Sequence, residues 1–368
     1  MGTNAGTPGI IAAPEQMTCE WLTAVLRGSG PGDDPVVASV DVEPVGVGVG
    51  LMSLLFRLTP TYAAGTGPAS VVVKFAPPYP QVREIAAGYH FYEREVAIYQ
   101  TLGAELALRP PRLYHAGHDP DTNDFVVVME DLGHLRSPDQ LDGCPVEDAR
   151  VIVAELARHH AQWWQSDRLD DLSFLQSWAE PPFPQYHDQA AKQSWPIALE
   201  RFGDIIPDRI RALGDRWSDI GPALMIDGPN HPSTLCHGDV RLDNVFFHTD
   251  GGDPVSIIDW QIAGIGPGAN DLAYFTSQSL TVDDRREHED ELTRLYHQTL
   301  VDNGVVDYPF DEFWDDYRRS VLFCLCYPLQ GGAVELVNDR AVALASGMLE
   351  RAMAAIIDLD ADAEELRP

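Results

Sequence analysis

His237-Gly238-Asp239-Val240-Arg241-Leu242-Asp243-Asn244 leads into a short apolar run at 245–247, and a second run at 255–258 ends in Ile257-Ile258-Asp259-Trp260-Gln261. Between the runs lies Thr249-Asp250-Gly251-Gly252-Asp253, a turn-rich connection that predicts a β-hairpin. Closing that hairpin brings Asn244 and Asp259 together. An amide and a carboxylate supply the oxygen ligands that Mg²⁺ takes beside water and phosphate oxygens. Asp239 is placed to project from the loop toward the same cleft. There a carboxylate can hydrogen-bond a substrate hydroxyl and accept its proton as the oxygen attacks a γ-phosphate. Asp and Asn are also ordinary turn and cap residues. The joint spacing H-G-D-x-x-x-x-N, the hairpin and the I-I-D-W that follows argue for the chemical reading.

Upstream of this loop the chain has two textures. Runs at 36–45, 54–62, 70–76 and 125–129 are β-branched or alternating and are separated by Gly, Pro and Asp, which predicts strands. A helical repeat over 85–102 interrupts them, and another over 15–26, opening at Pro14, precedes them. After Glu130-Asp131-Leu132-Gly133 helical patterns take over, at 146–165, 189–202, 208–220, 282–301 and from 310 to the end with breaks. The predicted domains are a sheet-rich lobe, 1–131, and a helical lobe, 132–368, that carries the loop 237–244 and the segment 257–261. This is an α+β arrangement with a cleft expected between the lobes.

The chain has only two lysines, Lys74 and Lys192. Lys74 interrupts Val71-Val72-Val73-Lys74-Phe75-Ala76, otherwise a buried strand, and an ammonium buried without a partner is costly. One account is an edge-strand lysine whose stem covers apolar surface. The other puts Lys74 on the α- and β-phosphates of ATP, held by Glu95 of the following helix. Glu93, the rival partner, faces roughly the opposite side of that helix. Gly46-Val47-Gly48-Val49-Gly50-Leu51-Met52-Ser53 joins two predicted strands. Gly46, Gly48 and Gly50 let backbone N–H groups approach the phosphates, with Ser53 as an extra donor. The strand that follows argues against a Rossmann site, which needs a helix there.

The loop with Asp239 and Asn244, together with Ile258-Asp259-Trp260, resembles the aminoglycoside phosphotransferase and choline-kinase superfamily of protein-kinase-like enzymes. Gly266-Pro267-Gly268-Ala269-Asn270-Asp271-Leu272-Ala273-Tyr274-Phe275 is similar to the family's D-L-A segment. Arg158-His159-His160-Ala161-Gln162-Trp163-Trp164 is similar to its helix before the loop, and with Lys74 the resemblance covers about residues 40–330. Cys236-His237-Gly238-Asp239 and Tyr317-Arg318-Arg319 resemble the ecdysteroid-kinase-like branch. Arg241-Leu242-Asp243-Asn244 is equally similar to the kinase-like domains fused to some acyl-CoA dehydrogenases.

The resemblance implies a bilobal protein-kinase-like fold: an N-terminal antiparallel sheet lobe with one regulatory-type helix, and a larger helical C-terminal lobe. It makes 125–132 the adenine hinge, with backbone groups of Glu130 and Leu132 reading the adenine edge and Met129 at the back of the pocket. The plainer alternative is a strand end with two solvated acids. Arg241 stands where many protein kinases place a lysine that touches the γ-phosphate, which assigns it charge stabilisation on the transferring group. Pairing with Asp243 is the alternative. Asp271 is read as a brace that holds the loop through backbone N–H groups, and His237 as a loop-packing residue. His159 and His160 are sequential, point to different helix faces and make a poor metal pair. Asp259-Trp260-Gln261 stands where protein kinases have D-F-G, so no glycine-dependent flip is carried over.

Composition sets the remaining expectations. The net charge of −32, from 57 acidic and 25 basic residues, repels phosphate backbones and anionic lipid heads, so neither nucleic acid nor membrane is an expected partner. The apolar run 321–329 contains Pro328 and falls short of the roughly 18 residues of a membrane span. Five scattered cysteines without a CxxC pair suit a reducing compartment, and the opening Met1-Gly2-Thr3-Asn4-Ala5-Gly6 has no targeting character, so a cytoplasmic protein is expected. Five of the eight tryptophans (Trp163, Trp164, Trp178, Trp195, Trp217) fall between hinge and loop. They predict an acceptor pocket built by about 163–220 and the C-terminal helices. The expected function is ATP- and Mg²⁺-dependent phosphorylation of a small-molecule alcohol, bulky and apolar. The alternatives are an aminoglycoside, choline-type or hydroxyacyl kinase, or a silent nucleotide-binding pseudokinase.

Overall fold

The computed structural model describes residues 8–27, 34–46, 52–249, 254–334, 336 and 338–363. The chain divides into two compact units, Met1–Arg136 and Ser137–Pro368.

The first unit is built on a five-stranded antiparallel sheet of β1 (Val36–Val45), β2 (Leu54–Ala64), β3 (Val71–Phe75), β4 (Leu113–Asp119) and β5 (Asp124–Glu130), in the order β1-β2-β3-β5-β4. The period-2 alternation of β3 sorts its side chains. Val71, Val73 and Phe75 join one core with Leu22, Val25 and Leu26 of α1 (Cys19–Arg27). Lys74 therefore faces the other side of the sheet, the side of Glu95. The expected helix over 85–102 is two helices, α2 (Pro80–Gly88) and α3 (Phe91–Thr101). His90 between them takes a left-handed φ of 57°, and the buried Arg94 guanidinium donates to the Tyr89 carbonyl at 2.9 Å, which fixes the break. The helix expected from Pro14 is one turn at Pro14–Gln16 and then α1, because Thr18 accepts the Trp21 N–H at 3.2 Å and starts the helix there.

The second unit contains α4 (Val146–Gln162), α5 (Phe183–Phe202), α6 (Asp208–Gly214), α7 (Trp217–Asp227), α8 (Ala269–Ser279), α9 (Val282–Asp302), α10 (Phe310–Phe323), α11 (Cys326–Ala333) and α12 (Asp339–Asp358). Two antiparallel ribbons are set among them: β6 (Ser233–Cys236) with β9 (Gly264–Pro267), and the expected hairpin of β7 (Val245–Phe247) and β8 (Val255–Ile257). The helix expected over 208–220 is interrupted after Gly214, dividing it between α6 and α7. Helix α8 is buried at almost every position and packs against α4, α9, α10 and α12, so it serves as the axis of this unit. No described helix is long and apolar enough to cross a membrane.

A partly buried ionic clamp ties α7 to α10. His231 meets Asp316 Oδ1 through Nδ1 at 2.5 Å and Asp227 Oδ2 through Nε2 at 3.0 Å. Both ring nitrogens can donate only as imidazolium, and the hydrogen bond to Asp316, outweighing burial, raises the histidine above its usual pKa. Its contribution to stability is therefore complete below the unfolded value near 6.5 and lost as pH rises through the folded one. Melting temperatures across this alkaline limb should fall for the parent protein, and His231→Gln should flatten the fall. An unchanged limb in the variant would remove His231 as its cause.

Candidate functional site

Strand β6 ends at Cys236 and delivers the 237–244 loop. Gly238 turns with φ +84°, and a Cβ there would lie 2.8 Å from the Ile262 carbonyl oxygen, so glycine alone fits without strain. Asp271 of α8 holds the turn: Oδ2 accepts the His237 N–H at 2.6 Å and Oδ1 the Gly238 N–H at 2.8 Å. His160 of α4 sits 3.2 Å from Oδ2 and is itself 2.6 Å from the Tyr296 hydroxyl. Burial alone would raise the Asp271 carboxyl, but His160 and the loop N–H groups hold it below the usual range. This is the bracing geometry expected of Asp271.

His237 does more than pack. Its Nδ1 accepts the Asp239 N–H at 3.2 Å, which leaves Nε2 as the donor to the Ile258 carbonyl at 3.1 Å. Burial lowers its pKa and favours this neutral form. One imidazole thus links the backbone of Asp239 to the residue before Asp259, and its ring meets Trp260 edge-on at 4.6 Å.

The hairpin brings Asn244 beside the entry to Asp259, since the Ile258 N–H donates to the Asn244 carbonyl at 3.0 Å and Val245 pairs with Ile257. Asp259 takes a left-handed φ of 70°, which is uncommon for a residue with a Cβ and tolerated best by Asn and Asp. The Asp239 carboxylate is surrounded by donors. Asn244 Nδ2 reaches Oδ2 at 2.9 Å, the Tyr274 hydroxyl reaches Oδ1 at 3.0 Å, and Arg241 Nε lies 3.3 Å from Oδ1. Arg241 also lies 3.4 Å from Asp243 Oδ2. Burial lowers the affinity of its guanidinium for a proton, but Asp239 and its acidic neighbours more than offset this. The arginine therefore bridges two carboxylates and is mostly buried.

Tyr274 was not singled out by the sequence. Its ring is buried and stacks on Tyr327 at 4.0 Å and 12°. Burial, reinforced by Asp239, raises its phenol far above the usual value, so it keeps its proton and donates it to Asp239. Among the described residues His160, Cys236 and Asp271 also bring potential metal ligands together. Burial strongly raises the Cys236 thiol, and Asp271 is spent on the loop, so this cluster is structural.

In the first unit, Lys74 Nζ lies 2.7 Å from Glu95 Oε1, with side chains 3% and 0% exposed. Glu93 is exposed beside His90, so Glu95 is the partner. Gly46 has φ +65° and Ser53 is buried; Gly48 and Gly50 lie outside the described residues. The Tyr92 hydroxyl donates to the Met52 carbonyl at 2.6 Å and ties α3 to this segment. Met129 is buried, and the Tyr99 hydroxyl approaches its sulfur at 3.9 Å. The Glu130 N–H is spent on the Arg112 carbonyl at 2.9 Å, and the Leu132 carbonyl accepts the Leu135 N–H. These two backbone groups are therefore already committed within the chain. Asp131 is not a solvated strand-end acid: it accepts Arg57 Nε and the Ser70 hydroxyl, each at 2.6 Å.

Solved structures share this architecture. Plasmodium vivax ethanolamine kinase aligns over 88% of this chain and 82% of its own with a TM-score of 0.53 at 15% identity. The GDP complex of wild-type aminoglycoside 2'-phosphotransferase-IIIa aligns over 86% and 94% with a TM-score of 0.51 at 16% identity. Human acyl-CoA dehydrogenase family member 11 is 38% identical over 230 residues, 60% of this chain. The alignment spans only 26% of that protein's length. The structural likenesses show a kinase-like α+β fold. The chain belongs to the Ecdysteroid kinase-like family, whose sequence profile matches residues 48–305.

Proposed function

We propose that this protein transfers the γ-phosphate of ATP to the hydroxyl of a small-molecule alcohol, in the cytoplasm. The observation that carries the reading is the convergence of Asp239, Asn244 and the entry to Asp259 on one braced loop. Asp239 accepts the hydroxyl proton as the alcohol oxygen bonds to the γ-phosphorus and the bond to the β-phosphate oxygen breaks, releasing ADP. Asn244, Tyr274 and Arg241 hold the carboxylate for that task. In the first unit, Lys74, positioned by Glu95, binds the α- and β-phosphates; Gly46, Gly48, Gly50 and Ser53 cover them. Met129, the Glu130 carbonyl and the Leu132 N–H receive adenine. Arg241 supplies positive charge near the transferring group.

The donors present suit Mg²⁺. Asn244 spends its amide nitrogen on Asp239, so its carbonyl oxygen is the coordinating atom, and the Asp259 carboxylate is the second hard oxygen donor. When bound, Mg²⁺ neutralises charge on the phosphate oxygens. Calorimetric titrations of ATP with and without Mg²⁺ test the assignment. Asp259→Ala and Asn244→Ala should lose the Mg²⁺-dependent part of the affinity and keep the metal-free part; equal losses under both conditions would sink it.

The acceptor proposed is a substantially apolar alcohol. Of the five tryptophans in the segment that suggested it, Trp163, Trp195 and Trp217 are core residues and Trp164 packs on Tyr308 at 5.1 Å. Trp178 lines a cavity. The proposed cytoplasmic setting is supported by the five free cysteines, four of them buried.

A further inference from the structure

The loop that carries Asp239 is held on two sides, and the second hold comes from a residue with no role so far. At the start of the loop Asp271, in the first turn of α8, accepts the His237 and Gly238 N–H groups. Further on, Leu242 opens a one-turn 3₁₀ helix, Leu242–Asn244. An N–H at the opening of such a turn has no acceptor within it. Gln140 supplies one: its Oε1 accepts the Leu242 N–H at 2.8 Å and the Ser279 hydroxyl at 3.2 Å. Its Nε2 donates to the Gln278 carbonyl at 2.9 Å. Gln278 and Ser279 end α8, about 10 Å along the axis from Asp271. One helix therefore holds both sides of the loop, directly through Asp271 and indirectly through Gln140. Asp239 and Arg241 lie between the two holds.

Gln140 is itself fixed. Its side chain is fully buried, and an amide presents an acceptor and donors on one rigid plane, which matches an N–H on one side and a carbonyl on the other. The Gln140 carbonyl accepts Nη1 of Arg351 on α12 at 2.8 Å. The same nitrogen reaches the Gln278 carbonyl at 3.1 Å, and Nη2 reaches the Leu141 carbonyl at 2.7 Å. Arg351 thus fastens the Gln140 backbone and the end of α8 together. Arg340, earlier on α12, pairs with Asp139 through two bonds of 2.8 Å, but that pair is exposed and worth less. The Cys144 N–H donates to the Ser279 carbonyl at 2.7 Å, which closes the segment on α8.

We propose that Gln140 is a positioning residue for phosphoryl transfer: it fixes Leu242, and through Leu242 the backbone path between Asp239 and Asn244, with Arg351 holding Gln140 in place. The inference rests on the reading of Asp239 as the base, but the hold can be measured without catalysis. Amide hydrogen exchange on the nucleotide-free full chain, labelled with ¹⁵N-leucine, reads the Leu242 N–H. Gln140→Met keeps the length of the side chain and loses its acceptor and donor. It should speed Leu242 exchange about 10-fold, the worth of one hydrogen bond, and leave Leu272 within α8 unchanged. Turnover by ADP release should fall about 10- to 100-fold, since small misplacements of a reacting group cost that much, with calorimetric Mg·ATP affinity close to the parent's. Gln140→Glu, kept neutral by burial, still accepts and donates and should recover most of the turnover. Arg351→Met should speed Leu242 exchange and slow turnover in the same direction by less, and it becomes the deciding variant if melting shows Gln140→Met unfolded. Parent-like Leu242 exchange in the folded deciding variant, or fast exchange with parent-like turnover, would overturn the proposal. So would equal losses of turnover and Mg·ATP affinity, the mark of a merely structural residue. A parent protein that transfers no phosphate while Leu242 responds as stated would instead remove the kinase reading and leave the hold on the loop.

Discussion

Asp239→Asn should slow phosphoryl transfer by about 10²- to 10⁴-fold, the worth of a positioned general base, and leave Mg·ATP affinity nearly unchanged. The local structure explains why the two quantities separate. Asn244 and Arg241 donate toward the Asp239 carboxylate, so an asparagine there keeps its carbonyl oxygen on that side and turns its amide toward Tyr274. The Tyr274 hydroxyl can rotate from donor to acceptor, which preserves the contact. The loop, held by Asp271 and His237, stays in place, and only the proton acceptor is lost. Turnover by ADP release, set beside calorimetric Mg·ATP binding, reads both quantities. A variant that transfers phosphate at close to the parent rate would remove Asp239 from the base role.

Lys74→Met should do more than weaken ATP use, because the pair it breaks is buried. Lys74 and Glu95 are 3% and 0% exposed at the side chain, so removing the ammonium leaves a carboxylate in the interior without its cation. Breaking one side of such a pair costs about 3–5 kcal/mol. Methionine keeps the apolar stem but not the charge. The double variant Lys74→Met/Glu95→Leu should regain most of that stability, since well-packed apolar replacements of buried pairs are often neutral, yet it should not regain activity. Chemical denaturation with turnover per folded molecule decides this. A double variant with both stability and activity restored would make the pair structural and overturn its placement at the nucleotide phosphates.

What the sequence disclosed follows from where its chemistry is written. Lys74 was legible because an ammonium inside a valine run has few explanations, and the structure gives it Glu95 at 2.7 Å. Asp271 was legible as a brace because it follows the loop in a recognisable D-L-A segment, and it does hold two loop N–H groups. Strand β4 was missed because Leu-Tyr-His-Ala-Gly-His-Asp contains no β-branched residue; it forms by pairing with β5, a tertiary effect. The break between α2 and α3 depends on one left-handed histidine and a buried arginine, which periodicity does not register. Tyr274 was invisible as a partner of Asp239 because 35 residues separate them and only the packing of α8 brings them together. The tryptophan clustering misled in part, since most of those rings fill the core, as large apolar side chains generally do.

The most direct test of the account follows the label from [γ-³²P]ATP with Mg²⁺ across a mixed set of neutral apolar alcohols, choline and an aminoglycoside, using the parent protein and Asp239→Asn in parallel. Label should appear on a neutral alcohol with the parent and fall by about 10²-fold or more with the variant. A folded parent protein that binds Mg·ATP and labels none of these acceptors, or labels them equally well without Asp239, would contradict it.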